Sequence, residues 1–415
     1  MKQVVVTGLG IISPAGRGLA DAWEGVLAAR SGVAVDEQLT EMGTPVTLCC
    51  RVPAFDPDTE LGRGSARRLD RFTHLAAIAA REAVAHAGLS QGDDEAITAA
   101  DPDRTGILLG SGIGGAETWA EEYPRYLEKG PRRTSPMFIP RMLSNTAAGT
   151  VAIRSGARGP NMTVNTACAA GASAIHVARD LIRAGAADVM IAGGVEAGIT
   201  GLSVSAFAQM GALTKNPDPA TASRPFDVDR DGFVIGEGAA VLILESAEHA
   251  AARGATPLAT VAGAGASADA HHATAPPEDG GGAVLAMQRA VADAGIEAST
   301  IGHLNAHGTS TPLNDVAEAR ALRAVFGDHT DAIVVTSTKG VTGHTLGAAG
   351  AIEAVFAIQS LREGRIPPTA NLVNQDPEID LDVVAGAARE TRLQAVLSTS
   401  MGFGGQNSAL VFTPA

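Results

Sequence analysis

The sequence predicts an α/β protein built from two related halves, in which helices cover the sheets. The first observation is that short apolar runs, such as residues 105–110, alternate with stretches in which apolar side chains recur at helical spacing. The second is repetition, because the strand, turn and small-residue helix start at residues 163–175 are echoed at residues 334–352. An internal duplication of this kind predicts two layered α/β halves with a site between them.

The expected domains are residues 1–255 and 256–415. Each strand is an apolar run that ends at glycine or at a polar residue, and each helix is an Ala-rich stretch with one apolar face. In the first quarter of the chain we expect a strand over 3–10, a helix near 18–29, an irregular Pro- and Asp-rich segment up to about 64, and a basic helix start at 67–72 that leads into a helix over 75–87. The rest of the first half should hold strands at 105–110 and 163–164, a helix over 169–185, and strands at 189–192 and 241–244. In the second half we expect a strand at 259–263, a helix over 280–294, a strand that ends at 303–308, a strand at 334–338, a helix start at 347–352 and a last strand at 409–412.

Composition narrows the classes of function. The chain has 31 Lys and Arg and 45 Asp and Glu residues, and the resulting net charge of -14 argues against nucleic-acid binding, so an acidic partner would need a local basic patch. Three cysteines, two of them adjacent at Cys49 and Cys50, make neither a disulfide framework nor a spaced zinc motif. With no signal peptide or membrane span in the sequence, we expect a cytoplasmic protein.

The segment around Cys168 carries the strongest chemical signal, because a β-branched run stops at this cysteine and a helical pattern follows it. The apolar face of that helix is Ala172, Ile175, Ala178 and Ile182, and the polar face is His176, Arg179, Asp180 and Arg183. Cys168 is therefore expected at a helix N-terminus, where free N–H groups and the macrodipole favour the thiolate and lower the thiol pKa. The alternative is a buried cysteine that acts as a small apolar residue.

A glycine-rich stretch in the first half matches the spacing of a dinucleotide-binding loop at Gly110, Gly112 and Gly115. A Rossmann unit also needs a helix, a second strand and an acidic residue about twenty positions later. The charged turn at residues 128–133 stands there instead, so we reject a dinucleotide site.

Two histidines lie on glycine-flanked turns of the second half, His307 before Gly308 and His344 after Gly343. Such turns let the backbone approach a substrate, although turn histidines are often merely solvated. Near the C-terminus, Phe403 stands isolated among glycines, which suits a hinged gate with exposed N–H groups. The alternative for this last segment is a plain glycine turn before the final strand.

Four strings occur in a fixed order along the chain. They are residues 165–168 (Asn-Thr-Ala-Cys), residues 305–311 (Asn-Ala-His-Gly-Thr-Ser-Thr), Lys339 with Gly343 and His344, and residues 402–405 (Gly-Phe-Gly-Gly). Together they resemble the β-ketoacyl-acyl-carrier-protein synthases, specifically their elongating type II branch, and the resemblance runs along essentially the whole chain. It implies a thiolase-like fold of duplicated αβαβα halves, a homodimer or a heterodimer with a ketosynthase-like subunit, and a decarboxylative Claisen condensation that extends an acyl chain.

The resemblance implies roles that agree with the chemistry of the residues. Cys168 would accept the acyl chain from a carrier-protein thioester and hold it covalently. His307 and His344 would donate hydrogen bonds to the malonyl thioester carbonyl and stabilise the enolate formed as carbon dioxide leaves, and Lys339 would orient and support them. The backbone N–H groups of Cys168 and Phe403 would form the oxyanion hole.

The resemblance also implies an acyl pocket and a docking surface. Ile113 and Phe403 match positions that gate the pocket, and Phe138 matches the position from which a partner subunit closes its far end. The expected partner is an acyl carrier protein with phosphopantetheine-bound acyl and malonyl groups, which a basic rim would receive. The rim consists of Arg67, Arg68, Arg132 and Arg133.

The chain departs from the family pattern at two places. Gly64 and Gly211 stand where relatives often have further basic residues, which weakens the expected docking surface. Residues 398–400 (Ser-Thr-Ser) stand where relatives usually have an asparagine before the gate. We therefore assign no metal and no cofactor, and whether a monovalent cation binds near Asn305 and Glu353, as in some relatives, stays open.

Three related classes of protein compete with this interpretation. A thiolase needs a second cysteine near its C-terminus, and none follows Cys168. An initiating synthase pairs its cysteine with one histidine and an asparagine, whereas His344 supplies a second histidine. A chain-length factor normally lacks the active cysteine, although such a subunit remains an acceptable partner. Ordinary fatty acid synthesis and a dedicated polyketide or polyene pathway both stay open.

Overall fold

The computed structural model describes residues 2–91 and 95–415, and those ranges contain seventeen strands and fifteen α-helices. The strands are β1 Val4–Ser13, β2 Gly16–Arg17, β3 Ala34–Val35, β4 Leu48–Cys50, β5 Thr105–Gly110, β6 Asn161–Val164, β7 Val189–Glu196, β8 Ile235–Gly236, β9 Gly238–Ser246, β10 Ala259–Ala268, β11 Ile301–Asn305, β12 Val334–Thr336, β13 Arg365–Ile366, β14 Asp382–Val383, β15 Arg389–Glu390, β16 Ala395–Gly402 and β17 Gln406–Thr413. The helices are α1 Leu19–Leu27, α2 Glu37–Glu41, α3 Pro57–Leu61, α4 Ser65–Arg68, α5 Arg71–His86, α6 Ala116–Lys129, α7 Phe138–Met142, α8 Thr146–Ser155, α9 Ala170–Arg183, α10 Gly201–Gln209, α11 Ala247–Ala252, α12 Gly281–Ala294, α13 Pro312–Phe326, α14 Lys339–Thr342 and α15 Ala349–Glu363.

The main sheet shows the duplication directly. Its strand order is β14-β12-β11-β16-β17-β10-β1-β9-β7-β5-β6, with β2 paired to β1. In the first half β1 pairs antiparallel with β9 and β9 antiparallel with β7, while β7, β5 and β6 run parallel. The second half repeats this pattern, because β10 pairs antiparallel with β17 and β17 antiparallel with β16, while β16, β11 and β12 run parallel. The halves join where β1 and β10 pair antiparallel. The predicted α/β class with duplicated halves is confirmed, whereas the division at residues 255 and 256 stays a prediction.

The strands of the two halves and the helices that cover them form five layers. Helix α5 packs on the outer face of β1 and β9 in the first half, and α12 packs on the outer face of β10 and β17 in the second half. Helices α9 and α15 contact each other and strands of both halves, so they form the middle layer. Because both flanks of this layer are buried, its helices need apolar residues all round, and nearly all of α15 is buried.

Most predicted elements occur near their expected positions, and three details differ. The helix expected to begin at residue 75 begins at Arg71, because the Asp70 side chain caps it by accepting the N–H of Phe72 at 3.2 Å. Arg67 and Arg68 belong to the separate short helix α4, which ends before an extended Leu69. The segment expected to be irregular holds α2, β4 and α3.

Arg179 corrects the predicted polar face of α9. Its side chain is buried, because α9 lies in the middle layer and this face meets β10 of the other half. The guanidinium donates to the carbonyl oxygens of Val261 (2.8 Å) and Ala262 (2.7 Å), where a bulge interrupts the pairing of β10. It also forms an ion pair with Asp293 at 2.6 Å.

Candidate active site

Cys168 lies in a tight elbow between β6 and α9. The backbone of Ala167 has φ 47°, and residues Ala167–Ala169 form a single 3-10 turn before α9 begins at Ala170. The second half repeats this conformation, with φ 50° at Leu346 and a 3-10 turn over Leu346–Ala348 before α15. Gly347 is thus the structural counterpart of Cys168.

One cavity of about 440 Å³ brings the predicted catalytic residues together. Its wall includes Cys168, His307, His344, Phe403 and Ile113. The other lining residues are Gly112, Ala167, Phe207, Met210, Gly211, Ala212, Asp231, Phe233, Asp269, Thr274, Ala275, Pro276, Thr309, Thr311, Pro312, Leu313, Asn314, Leu346, Met401, Gly402 and Gly405. The cavity is mostly apolar with a few convergent polar groups, as is typical of a small-molecule site.

The two histidines lie side by side, with ring centroids 5.3 Å apart and ring planes at 85°. His307 follows β11, and its backbone N–H donates to Glu318 Oε1 at 2.7 Å. The backbone N–H of His344 donates to the Val234 carbonyl at 2.7 Å. Burial, together with the nearby Lys339 charge, lowers the pKa of both rings well below the usual value. Both imidazoles are therefore neutral at pH 7 and have one N–H donor each.

Lys339 lies buried behind His307. Its ammonium donates to the His307 carbonyl at 2.5 Å, forms an ion pair with Glu353, and lies 3.4 Å from His307 Nδ1. An ammonium has donors only, so Nδ1 acts as the acceptor and the ring proton resides on Nε2. Burial raises the pKa of Glu353 to about 7 despite the Lys339 charge.

The expectation of a lowered Cys168 pKa is wrong for this resting structure. Burial of the thiol raises its pKa to about 11, and the Glu196 charge acts in the same direction. Hydrogen bonds from the N–H groups of Phe403 and Cys168, and the Lys339 charge, oppose this rise without cancelling it. Burial removes the thiolate from water, and this raises the thiol pKa by more than the N–H groups at the helix start lower it.

Phe403 forms the turn between β16 and β17 with two glycines. Gly404 and Gly405 have φ of 87° and 71°, a region that side-chain-bearing residues rarely adopt. The Gly404 N–H donates to the Ala273 carbonyl at 2.8 Å, and the Phe403 ring lies 6.4 Å from that of Phe207. The segment is therefore the glycine turn that the alternative interpretation of the sequence predicted. It also places the Phe403 side chain at the cavity wall.

The remaining predicted residues lie outside the cavity wall. Phe138 begins α7 and packs edge-on against Trp119, with ring centroids 5.1 Å apart. Arg67 and Arg68 end α4, while Arg132 and Arg133 lie in a 3-10 helix over Pro131–Arg133. All four arginines of the rim are exposed.

Sequence reasoning missed the carboxylate of Glu318. Its oxygens accept the N–H groups of His307 and Gly308 (2.8 Å) and the hydroxyl of Thr399 (2.7 Å), so it holds the histidine turn in place. A signal was available, because Asp315 and Glu318 occupy the face of α13 that also carries Leu322. Acidic residues on a core-facing stripe indicate a buried polar contact.

No group of three or more His, Cys, Asp or Glu residues within 2–91 and 95–415 has the arrangement of a metal site. Two buried oxygens in this region, Asn305 Oδ1 and Glu353 Oε2, have no hydrogen-bond partner there. The assignment of no metal therefore stays a prediction. Among the helices of the described residues, none has both the length and the apolar character needed to cross a bilayer.

Comparison with known proteins extends over the whole chain. A family model described as β-ketoacyl synthase, N-terminal domain, matches residues 1–250, and its C-terminal counterpart matches residues 258–373. The 3-oxoacyl-[acyl-carrier-protein] synthase 2 of Synechocystis sp. is 46% identical over 412 residues, which cover 99% of this chain and 98% of that protein.

Two solved structures share the fold throughout. One is a type II polyketide acyl-carrier protein in complex with its ketosynthase, with TM-score 0.92, 33% identity and coverage of 100% of this chain and 99% of the other. The second is the ishigamide ketosynthase/chain length factor, with TM-score 0.91, 34% identity and coverage of 100% and 99%.

The raised Cys168 pKa predicts how alkylation depends on pH. Below pH 11 the thiol is the main form, so the reactive thiolate fraction and the labelling rate should rise about tenfold for each pH unit between 7 and 9. Iodoacetamide labelling followed by intact mass measures this rate. Cys168→Ser is the control for Cys49 and Cys50, whose pKa values burial also raises. A rate that is already constant above pH 7 would show that the helix start outweighs burial.

Proposed function

This chain belongs to the β-ketoacyl synthase family, and from that premise we propose that it is an elongating β-ketoacyl-acyl-carrier-protein synthase. It condenses an acyl chain held on Cys168 with malonyl-acyl carrier protein and extends the chain by two carbons. The observation that carries the proposal is the convergence of Cys168, His307 and His344 on one cavity. The alternative is a ketosynthase subunit of a polyketide or polyene pathway that works as a heterodimer with a chain-length-factor-like partner. The name of the ishigamide structure pairs a ketosynthase with a chain length factor in this way.

The first half-reaction transfers the acyl group. The Cys168 sulfur attacks the thioester carbonyl, the carbon–sulfur bond to phosphopantetheine breaks, and the thiol proton ends on the departing pantetheine sulfur. The N–H groups of Phe403 and Cys168, which both bond the thiol, are the donors that stabilise the oxyanion. Such donors are each worth about 3 kcal/mol of barrier.

The second half-reaction forms the carbon–carbon bond. His307 Nε2–H and one ring N–H of His344 donate to the malonyl thioester carbonyl, so the electron pair released with carbon dioxide is held as an enolate. The enolate carbon attacks the acyl thioester on Cys168, and the sulfur leaves as a thiolate that regains a proton. Neutral histidines suit this step because each keeps one donor without a charge.

The division of labour between the residues is testable. His307→Ala and His344→Ala should each lower carbon dioxide release from malonyl carrier protein by about 100-fold, because one enolate donor is lost. Acyl loading, read by intact mass, should persist in both variants and disappear in Cys168→Ala. The matched control is His303→Gln, since His303 is buried on β11, the strand that His307 follows, but bonds the Val334 carbonyl at 2.8 Å. Parent-like carbon dioxide release in His344→Ala would refute the assignment.

We assign Phe403 and Ile113, which both line the cavity, as its gate, with Phe403 as the moving part. In one position its ring covers Cys168, and in another, after loading, the ring swings aside and its N–H completes the oxyanion hole for the condensation step. Only a turn with two left-handed glycines allows such a swing at small steric cost. A gate of this kind delays malonyl chemistry until the acyl chain is in place.

Removing the gate should uncouple the reaction. Phe403→Ala keeps the backbone donor, so loading should continue while carbon dioxide release without an acyl donor rises. Gly404→Ala should lower turnover, because its φ of 87° disfavours alanine. Steady-state turnover and carbon dioxide release measure both effects. Parent-like values in both variants would mean that the turn is only structural.

The docking proposal rests on local charge. The chain carries a net charge of -14, so an acidic carrier protein must be attracted by the exposed rim Arg67, Arg68, Arg132 and Arg133. All four side chains are exposed, and the Arg67 charge also acts on the nearby Asp58 carboxylate, whose pKa backbone hydrogen bonds and this charge lower. The ketosynthase complexed with its acyl-carrier protein is the precedent.

Charge reversal of the rim should raise KM for carrier-bound substrate and leave short malonyl-pantetheine thioesters unaffected. Added salt should weaken carrier binding to the parent protein as well. Arg30→Glu, at an exposed arginine outside the rim, is the control. An equal loss with both substrate types would show that the rim arginines support the fold instead.

We propose that a ketosynthase-like partner, identical or related, covers the face formed by α6, α7, α8 and β6. Strand β6 is an end strand of the sheet, and Trp119, Ile139 and Ile153 are exposed around it. Phe138 lies on this face against Trp119, which is the place from which each subunit would close the other's pocket.

Three free cysteines are consistent with a cytoplasmic location.

A further inference from the structure

Glu196, the last residue of β7, has a fully buried carboxylate with an unusual set of partners. Its donors are Ser111 Oγ (3.1 Å) and the backbone N–H groups of Gly112 (2.7 Å), Ile113 (3.2 Å), Gly114 (3.3 Å) and Gly347 (3.2 Å). Within residues 2–91 and 95–415 no lysine or arginine forms an ion pair with it, and its partners are these neutral donors. Burying a carboxylate without a cationic partner costs free energy of folding, so we expect Glu196 to have a role other than packing within the sheet.

The donors come from both halves of the molecule. Residues 111–114 follow β5 in the first half, whereas Gly347 is the counterpart of Cys168 in the second. The fit is tight, because a Cβ at Gly112 or Gly347 would lie 2.8 Å or 2.7 Å from Glu196 Oε2. Glu196 therefore fixes the backbone of two loops that meet beside the cavity.

Each fixed loop supplies an apolar side chain to the cavity wall. Ile113 lies within the first loop, and Leu346 directly precedes Gly347. Their ends converge over Gly198, where a Cβ would lie 3.2 Å from Ile113 Cδ1 and 3.3 Å from Leu346 Cδ1. These two side chains therefore form one wall of the space in which an acyl chain on Cys168 must lie.

From this geometry we infer that Glu196 is a positioning residue that determines acyl-chain specificity, because it holds Ile113 and Leu346 at a fixed separation. The inference rests on the proposed function, since it concerns the chain carried by Cys168. Glutamate suits the task because its two oxygens accept several hydrogen bonds at once. A glutamine would turn an NH₂ group toward N–H donors, release the loops and let Ile113 move aside for longer chains.

The test compares acyl transfer to Cys168 from hexanoyl and palmitoyl carrier protein, measured as kcat/KM by intact mass. Glu196→Gln should raise the palmitoyl-to-hexanoyl ratio about tenfold, which is the discrimination that a pocket typically gains from one methylene group. Ser111→Ala, which removes one donor and strains the fold less, should shift the ratio in the same direction. This second variant keeps the inference testable if Glu196→Gln folds poorly.

The matched control is Glu245→Gln. Glu245 is also fully buried, on β9, but its partners are Arg253, His249 and Thr7, and it does not line the cavity. It should lower the melting temperature and leave the ratio unchanged. A parental ratio in both Glu196→Gln and Ser111→Ala, or an equal shift in Glu245→Gln, would overturn the inference. A parent protein that forms no acyl adduct would instead overturn the proposed function.

Discussion

The close approach of α9 and α15 is the constraint on which the active site depends. A Cβ at Gly171 would lie 2.8 Å from Ala351 N and 3.0 Å from Gly347 O, and one at Gly350 would lie 2.8 Å from the Ala172 Cβ. Backbone therefore meets backbone, and the two elbows lie next to each other. Only this contact lets the cysteine of one half share a cavity with the histidines of the other. It also explains a core of small residues in a chain that is only 3% aromatic.

Burial at this contact sets the charge state of the site. The Lys339 ammonium faces His307 and forms an ion pair with the buried Glu353, whereas the buried Glu318 carboxyl group beside them is held by neutral donors. The same burial keeps both histidines neutral and Cys168 protonated. The resting site therefore has hydrogen-bond donors in place before any substrate charge develops, which is the arrangement that stabilises an oxyanion or enolate at least cost.

The duplication is exact in backbone conformation and unequal in chemistry. Ala167 and Leu346 have φ of 47° and 50°, and each precedes a 3-10 turn and a middle-layer helix. One elbow carries Cys168, the nucleophile that we propose, whereas the other has Gly347 and leaves room for the Glu196 carboxylate.

The sequence by itself determined the fold class and the order of the main elements, and it singled out Cys168, His307, His344 and Phe403, because apolar periodicity and glycine-flanked motifs are local signals. Ile113 followed only from the family resemblance. The tertiary structure decided what depends on distant neighbours. Arg179 is buried because a strand of the other half covers it, the Cys168 pKa rises because packing removes water, and Glu318 was missed because its contacts form only after α13 docks. Burial and charge are properties of residues far apart in the chain, and only packing brings them together.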